Sequence, residues 1–419
     1  MNAIKTFFKT LLPSKHFFQL SCLLFVFICG CTEQNVKKNP IHNESKGLDA
    51  EYLLKHAAGQ LDLLKEVAFK ENRIPRTVGK DGKLHWANPK FDWTEGFFPG
   101  SLWYMYKTTH DNKWKDAAES FQSMFESHKY YTSNHDLGFI FNTSYANGYE
   151  ITKNEYFKDV MIIAADSLIT RFNPKVGCIK SWDTDKGWQA ERNWDFPVII
   201  DNMMNLELLF KASQLTKNSK YKDIAIQHAN TTLKNHFRDN HSSFHVVDYD
   251  AVSGTVRAKE TAQGFANNSA WARGQAWGLY GYTVCYRYTK DIRFLEKAQH
   301  IANFILEKNK LQREKLPFWD YNASNIPNEP VDVSAAAITV SALLELDSYS
   351  DNSYKMEIEQ LLHALSTEKY LSKIGDNHNF ILKHSIGSIP HDNEIDVPLN
   401  YADYYYIEAL VRYKQKYQK

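Results

Sequence analysis

From about residue 50 the chain alternates two kinds of apolar pattern. One kind carries apolar residues at three-to-four spacing beside a charged face, in Lys113–His128, Tyr156–Phe172, Tyr221–Phe237, Phe294–Asn309 and Tyr354–Ser366. The other is rich in Ala, Gly, Met, Tyr and Trp and nearly free of charge in its middle, in Thr94–Lys107, Asn202–Thr216, Ala270–Thr289 and Ser334–Leu346. A striped helix lies on the outside of a fold, and a helix apolar all round is buried. Short polar junctions separate the two kinds, for example His110-Asp111, Asn154-Glu155, Asn218-Ser219 and Asp291-Ile292. Asn and Asp suit such turns because they tolerate the left-handed region and can cap the next helix. The aromatic after each junction is expected to pack back on the preceding helix. Adding Glu51–Asn72, an inner helix near Phe139–Thr152, and Tyr401–Gln418 gives about twelve helices, alternately outer and inner. A repeating helical hairpin of this kind predicts an all-α fold, an (α/α)6 barrel of six hairpins forming a single domain over 49–419. An open helical solenoid is the other arrangement the same period permits.

Residues 1–30 break the pattern. Lys5, Lys9 and Lys15 precede the apolar run Phe17 to Ile28, which ends in Ile28-Cys29-Gly30-Cys31. A positive start, a short apolar run and small residues at the cut predict a secretory signal. The run is too short for a comfortable membrane span. Its last four residues resemble a bacterial lipobox, in which Cys31 is lipidated and becomes the mature N-terminus. Residues 31–48 are expected to form a flexible tether, placing the protein in the cell envelope on a lipid anchor. Three Lys and no acid precede Cys31, so removal of this segment takes the net charge from +1 to −2. No basic stripe remains, which argues against nucleic acid as a partner. Neither Cys178 nor Cys285 lies in a metal-ligand spacing.

The long joins Pro75–Trp93, Asn173–Ile200, Asp239–Asn268, Leu311–Val333 and Gly375–Asn400 hold most of the Trp, His and acidic residues without an evident packing role. Loops gathered on a rigid scaffold commonly bind ligands. Two carboxylates stand out. Asp136 lies in Asn134-His135-Asp136-Leu137-Gly138-Phe139, and Asp201 follows Pro197-Val198-Ile199-Ile200 and precedes a helical pattern. Poor hydration and a neighbouring carboxylate both raise a carboxyl pKa, which keeps a proton donor available near neutral pH. With tryptophans close by, the pair points to acid/base chemistry on a sugar, although Asp is also a favoured N-cap. Asp92 and Glu95 are spaced for a capping box. His245, in Phe244-His245-Val246-Val247-Asp248-Tyr249, alternates like a short strand. Arg273 and Trp277 are one turn apart on an inner helix and share a face. An Arg on that apolar surface requires an anion, from the protein or from a substrate.

These motifs together carry a family likeness. The chain resembles the unsaturated glucuronyl hydrolases, glycoside hydrolase family 88, in Ile74-Pro75-Arg76-Thr77, in Asp92-Trp93-Thr94-Glu95-Gly96-Phe97-Phe98-Pro99-Gly100 and in His135-Asp136-Leu137-Gly138-Phe139. The likeness continues in Pro197 to Asn205, His245 to Tyr249, Ser269 to Gly278 and Asp396 to Tyr405. It implies the six-hairpin barrel, no cofactor and no metal. The implied partner is an unsaturated uronyl oligosaccharide, and the implied reaction is hydration of its C4=C5 double bond. By match to the family motifs, Asp201 is the main acid/base and Asp136 the second essential acid. His245, Gln263, Arg273 and Trp277 would contact the unsaturated sugar, with Trp93 as the stacking aromatic and Tyr401 as a further contact. The loop Ser388 to Glu394 departs from the serine- and lysine-rich pattern that some members use to hold a sulfate. A related unsaturated rhamnogalacturonyl or ulvan oligosaccharide hydrolase, a sugar isomerase or epimerase, and a binding lipoprotein are the competing readings.

Overall fold

The computed structural model describes residues 47–418 apart from residue 313, so the expected signal, most of the tether and Cys31 lie outside the described residues. Twelve helices follow. They are α1 (Ala50–Glu71), α2 (Phe97–Thr109), α3 (Asn112–Ser123), α4 and α5 (Glu155–Ile169) in the first half. Helix α4 runs from Leu137–Phe141 through a π-helical turn, Asn142–Ala146, into Asn147–Thr152. Next come α6 (Leu206–Thr216), entered through the 3-10 turn Ile200–Asn205, α7 (Ser219–Asn235) and α8 (Ala272–Thr289). The last are α9 (Ile292–Lys310), α10 (Val333–Leu346), α11 (Lys355–Leu365) and α12 (Asn400–Tyr417).

Helices α2, α4, α6, α8, α10 and α12 each touch the next, and α12 returns to α2. The ring is therefore closed, which excludes the open solenoid. The odd-numbered helices pack outside it, with α1 against α12. The patterning explains the division. Every residue of α8 from Ala272 to Cys285 is buried, whereas α9 buries only its apolar stripe.

The junctions repeat one device. Thr109, Thr152, Thr216 and Thr289 are each followed by a left-handed residue (His110, Lys153, Lys217 or Lys290, φ 57 to 60°) and then by Asp111, Asn154, Asn218 or Asp291. Each Asp or Asn side chain caps the next helix by accepting a backbone N–H, and its own N–H donates to the Thr hydroxyl. The left-handed position thus falls on His and Lys, where Asn and Asp were expected, because a capping residue must keep an extended backbone to reach forward. The following aromatic is buried at Trp114, Tyr221, Phe294 and Tyr354, but Tyr156 is exposed and its neighbour Phe157 takes the inner place.

Among the described residues nine short strands punctuate the long joins: β1 (Pro75–Val78) with β2 (Leu84–Trp86), β3 (Phe172–Asn173) with β4 (Cys178–Ile179), and β8 (Ser385–Ser388) with β9 (Asn393–Val397). Strands β5 (Phe196–Ile199), β6 (Val246–Tyr249) and β7 (Val256–Glu260) form a three-stranded antiparallel sheet. These elements sit where the chain enters the inner helices, so one end of the barrel is elaborated and the other is closed by tight junctions. Cys178 and Cys285 are buried and free. Among the described residues no helix is long and apolar enough to cross a membrane.

Candidate active site

All six inner helices begin at the elaborated end, so their N-terminal dipole ends converge there and favour negative charge. Asp136 stands at the N-cap of α4, yet its side chain makes no capping bond. Asp201 lies in the first turn of the 3-10 segment before α6, where Ile199 holds the N-cap position. The helix-cap reading of both residues is thereby removed. They are only 7% and 9% exposed.

Gly138 explains how the two segments come together. A Cβ there would lie 2.2 Å from Asn205 Cα, so only glycine lets the start of α4 press against the turn that carries Asp201. Asn205 fastens the contact: its Oδ1 accepts the Phe139 N–H at 3.0 Å, and its Nδ2 stands 3.1 Å from His135 Nδ1. Burial lowers the His135 pKa to about 3, so the ring is neutral. With Nδ1 accepting from Asn205, its proton sits on Nε2, which is 3.3 Å from Asp136 Oδ1.

Burial raises the Asp201 carboxyl to about 7, while the Arg273 charge, its own backbone N–H and the Trp277 indole hold it down. Asp136 is pushed well above the ordinary carboxylate range, first by burial and then by the Asp201 charge, against an opposing pull from Arg171. Because the charge of Asp201 acts on Asp136, the titration of the pair belongs to both groups. His245 is placed just before β6, where its carbonyl accepts the Ile200 N–H at 3.0 Å. Its Nδ1 accepts the backbone N–H of Ala262 at 3.0 Å and of Gln263 at 3.2 Å. That fixes the proton on Nε2, 3.7 Å from Asp201 Oδ2. Burial, then Arg273, lowers the His245 pKa far below its ordinary value, so this imidazole too is neutral.

Arg273 is fully buried and its anion is Asp332, 3.2 Å away. Its guanidinium also binds the carbonyls of Ile386 and Gly387 on β8 and the Gln263 side chain at 3.3 Å. The guanidinium carbon lies 4.4 Å from the Trp271 ring centre and 5.6 Å from that of Tyr401. Tyr401 contacts Trp93 at 4.9 Å, and Phe139 links Trp93 to Trp277 at 5.4 and 5.0 Å. The geometry gathers Asp136, Asp201, Trp93, His245, Gln263, Arg273, Trp277 and Tyr401 into one chamber.

The sequence reading did not single out several neighbours. Trp182 lies 6.4 Å from His135 and 6.2 Å from His245, and stacks on Trp194 at 5.8 Å. Trp188 meets His391 of the β8–β9 turn at 5.0 Å. The concentration of Trp between residues 182 and 194 was the available signal. The Asp92–Glu95 capping box does not form. Asp92 instead accepts from Thr94 and pairs with Arg76 at 2.6 Å, and Glu95 pairs with His128 at 2.6 Å. Arg76 also pairs with Glu394, tying the β1 segment to the β8–β9 hairpin.

A barrel mouth with paired, poorly hydrated carboxylates and a girdle of aromatics defines a carbohydrate-active hydrolase. The sequence profile of Glycosyl Hydrolase Family 88 matches residues 71–418, and the chain belongs to that family. It is 46% identical over 343 residues to an unsaturated glucuronyl hydrolase of Formosa agariphila, covering 81% of this chain and 84% of that protein. An unsaturated chondroitin disaccharide hydrolase of Streptococcus agalactiae is 31% identical over 337 residues, covering 78% and 82%. The crystal structure of an unsaturated glucuronyl hydrolase specific for heparin superposes with a TM-score of 0.83 at 44% identity, covering 88% of this chain and 99% of that one.

Proposed function

We propose that this glycoside hydrolase removes the terminal 4,5-unsaturated uronic acid from lyase-generated oligosaccharides, with glycosaminoglycan-type disaccharides as the main substrates. In this mechanism the Asp201 carboxyl gives its proton to C4 of the vinyl ether, and positive charge develops at C5 and the ring oxygen. The Asp201 carboxylate then takes a proton from the water that adds to C5, which restores the acid. The resulting hemiketal opens, leaving a ketone at C5, and the hemiacetal formed at C1 releases the neighbouring sugar. Asp136 assists through its charge and position. The neutral His245 Nε2–H orients the carboxyl or the water beside it. Arg273, Gln263, Trp277, Trp93 and Tyr401 hold the unsaturated ring. No glycosyl-enzyme bond is needed, so the separation of the carboxylates does not set a retaining or inverting outcome.

The observation that carries this reading is an Asp201 carboxyl that keeps its proton to about pH 7 beside a second buried acid. The test follows the near-ultraviolet absorbance of the conjugated double bond in unsaturated disaccharides from chondroitin, hyaluronan, heparin and ulvan. Wild type should remove it from at least one substrate and Asp201→Asn from none. Absorbance that never falls on any of them rejects the reaction. The lipobox-like Ile28 to Cys31 supports attachment to an envelope membrane through Cys31. Labelled palmitate should enter the wild-type chain in bacterial cells and not a Cys31→Ala chain.

A further inference from the structure

The wall that bears the two carboxylates also borders a second cleft. It has a volume of about 570 Å3 and is lined by Thr132, Thr170, Arg171, Phe172, Lys180 and Phe196, among others. Thr132 leads into the Asp136 loop, and Phe196 opens β5, which runs to Asp201. Two cations meet in the cleft. Arg171 is buried and donates through Nε to the Lys180 carbonyl at 2.7 Å, and through Nη1 to the Thr132 carbonyl and Asp183 Oδ1 at 2.5 and 3.0 Å. Its Nη2 has no partner among the described residues. Lys180 is half-buried over the Phe196 ring, 5.8 Å from the centre, and among the described residues its ammonium donates to the Thr184 hydroxyl alone, at 3.5 Å.

A buried guanidinium N–H without an acceptor is costly, and the cost is removed when an anion arrives. Among the described residues Asp183 is the carboxylate that pairs with Arg171, through Nη1, and it also faces the ammonium of Lys186. Burial and then the Arg171 charge hold the Lys180 pKa below its ordinary value, against the opposing charges of Asp195, Asp183 and Asp248. Phe172, Pro174 and Phe196 offer apolar faces suited to a sugar ring, and Thr132, Thr170 and Asn173 complete the lining with polar groups. The Arg171 charge also acts on Asp136, so the cleft is electrically connected to the chamber.

We propose that the Arg171–Lys180 cleft binds the sulfate or carboxylate group of an acidic oligosaccharide, at a position separate from the Asp136–Asp201 chamber. Arg171 Nη2 and Lys180 Nζ supply the donors. The glycan origin of the anion rests on the hydrolase reading above, whereas the binding itself does not.

Equilibrium dialysis of the full chain tests it, with three probes at matched ionic strength: a saturated sulfated disaccharide, which has no C4=C5 bond, inorganic sulfate, and chloride. The disaccharide should bind saturably to wild type. It should bind Lys180→Ala at least about tenfold more weakly, since one charge-assisted hydrogen bond is worth a decade or more. Lys180→Arg should restore the affinity, which separates loss of charge from loss of folding. Equal affinity for wild type and Lys180→Ala overturns the site. Saturable binding of inorganic sulfate without binding of the disaccharide overturns the glycan assignment. Turnover is read in parallel by absorbance. An inactive protein whose binding still depends on Lys180 rejects the hydrolase reading and leaves the cleft in place.

Discussion

The two ends of the barrel bury carboxylates to the same degree and treat them in opposite ways. At the mouth, Asp136 and Asp201 lie in surroundings that favour their protonated forms. Toward the closed end, Arg287 and Glu345, near the C-terminal ends of α8 and α10, pair at 2.6 Å, and Glu207 in the first turn of α6 reaches Arg287 at 2.7 Å and Lys211 at 3.4 Å. Arg412 adds ion pairs to Glu408 and Glu345, while Tyr104, Tyr280 and Ser341 donate to Glu408. Burial alone would raise Glu207 and Glu345, but the charges of Arg287 with Lys211, and of Arg287 with Arg412, bring both below the ordinary range. Desolvation is therefore common to both ends, and the supply of cations decides which carboxylate keeps a proton. At the mouth the guanidinium that acts on Asp201, Arg273, is already engaged with Asp332 and two carbonyls, so its hold on Asp201 is partial.

The sharpest way to break the comparison is Asp201→Asn. Turnover should fall by about 10³-fold or more, at the upper part of the range for positioned acid/base groups. The same change should stabilise the fold. A carboxyl whose folded pKa is about 7 against an ordinary 3.8 loses stability as pH rises between those values. The variant should match wild type in urea unfolding near pH 4 and exceed it by about 3–4 kcal/mol at pH 8. A constant difference across that range would contradict the assignment.

Arg287→Met attacks the other end. It strands Glu207 and Glu345, and breaking a buried ion pair on one side costs about 3–5 kcal/mol. Urea midpoints should drop accordingly, while the activity of the folded fraction stays within about twofold, because Arg287 and Glu345 lie near the C-terminal ends of α8 and α10, away from the mouth. The closed end also sets the acid limb of stability. With folded pKa values below the ordinary 4.5, Glu207 and Glu345 contribute stability that is present above that pH and lost as pH falls further. Acid unfolding of wild type should thus begin below about pH 4.5, and Glu207→Gln should remove part of its steepness.

The smallest effect tunes the comparison. Trp277→Phe removes an indole that pulls the Asp201 pKa down. The alkaline limb of kcat/KM against pH, expected near 7 as Asp201 loses its proton, should move upward by less than about one unit. A downward movement would mean that the indole does not act on the carboxyl.

Much of this was legible in the chain. The contrast between the charge-free Ala272–Cys285 stretch and the striped Ile292–Lys310 stretch places one helix inside and the other outside. Four apolar residues before Asp201 announce its poor hydration. What escaped depends on contacts distant in sequence. Arg76, Asp92 and Glu394 meet across more than 300 residues, so Asp92 read locally as half of a capping box. Asn205 could be read only as a polar residue near a helix start, because its partners His135 and Phe139 come from another hairpin. Trp182 and Trp188 carry no periodicity, and only the folded joins show what they face. The left-handed His and Lys residues at the junctions were hidden because the Asp or Asn beside each was the stronger turn signal.

The meeting of the first and last helices has a consequence for how the fold could be rewired. The Gln418 side chain accepts the Ala50 N–H at 3.1 Å, and Lys414 pairs with Glu51, so α1 and α12 form a hairpin joined by contact alone. The other five hairpins are joined by chain, yet this sixth one packs alike. The ring therefore has no obligatory starting point. A circular permutant with residues 418 and 47 bridged by a short linker, and new termini opened at the exposed turn around Lys217, should fold to the same barrel with its mouth intact.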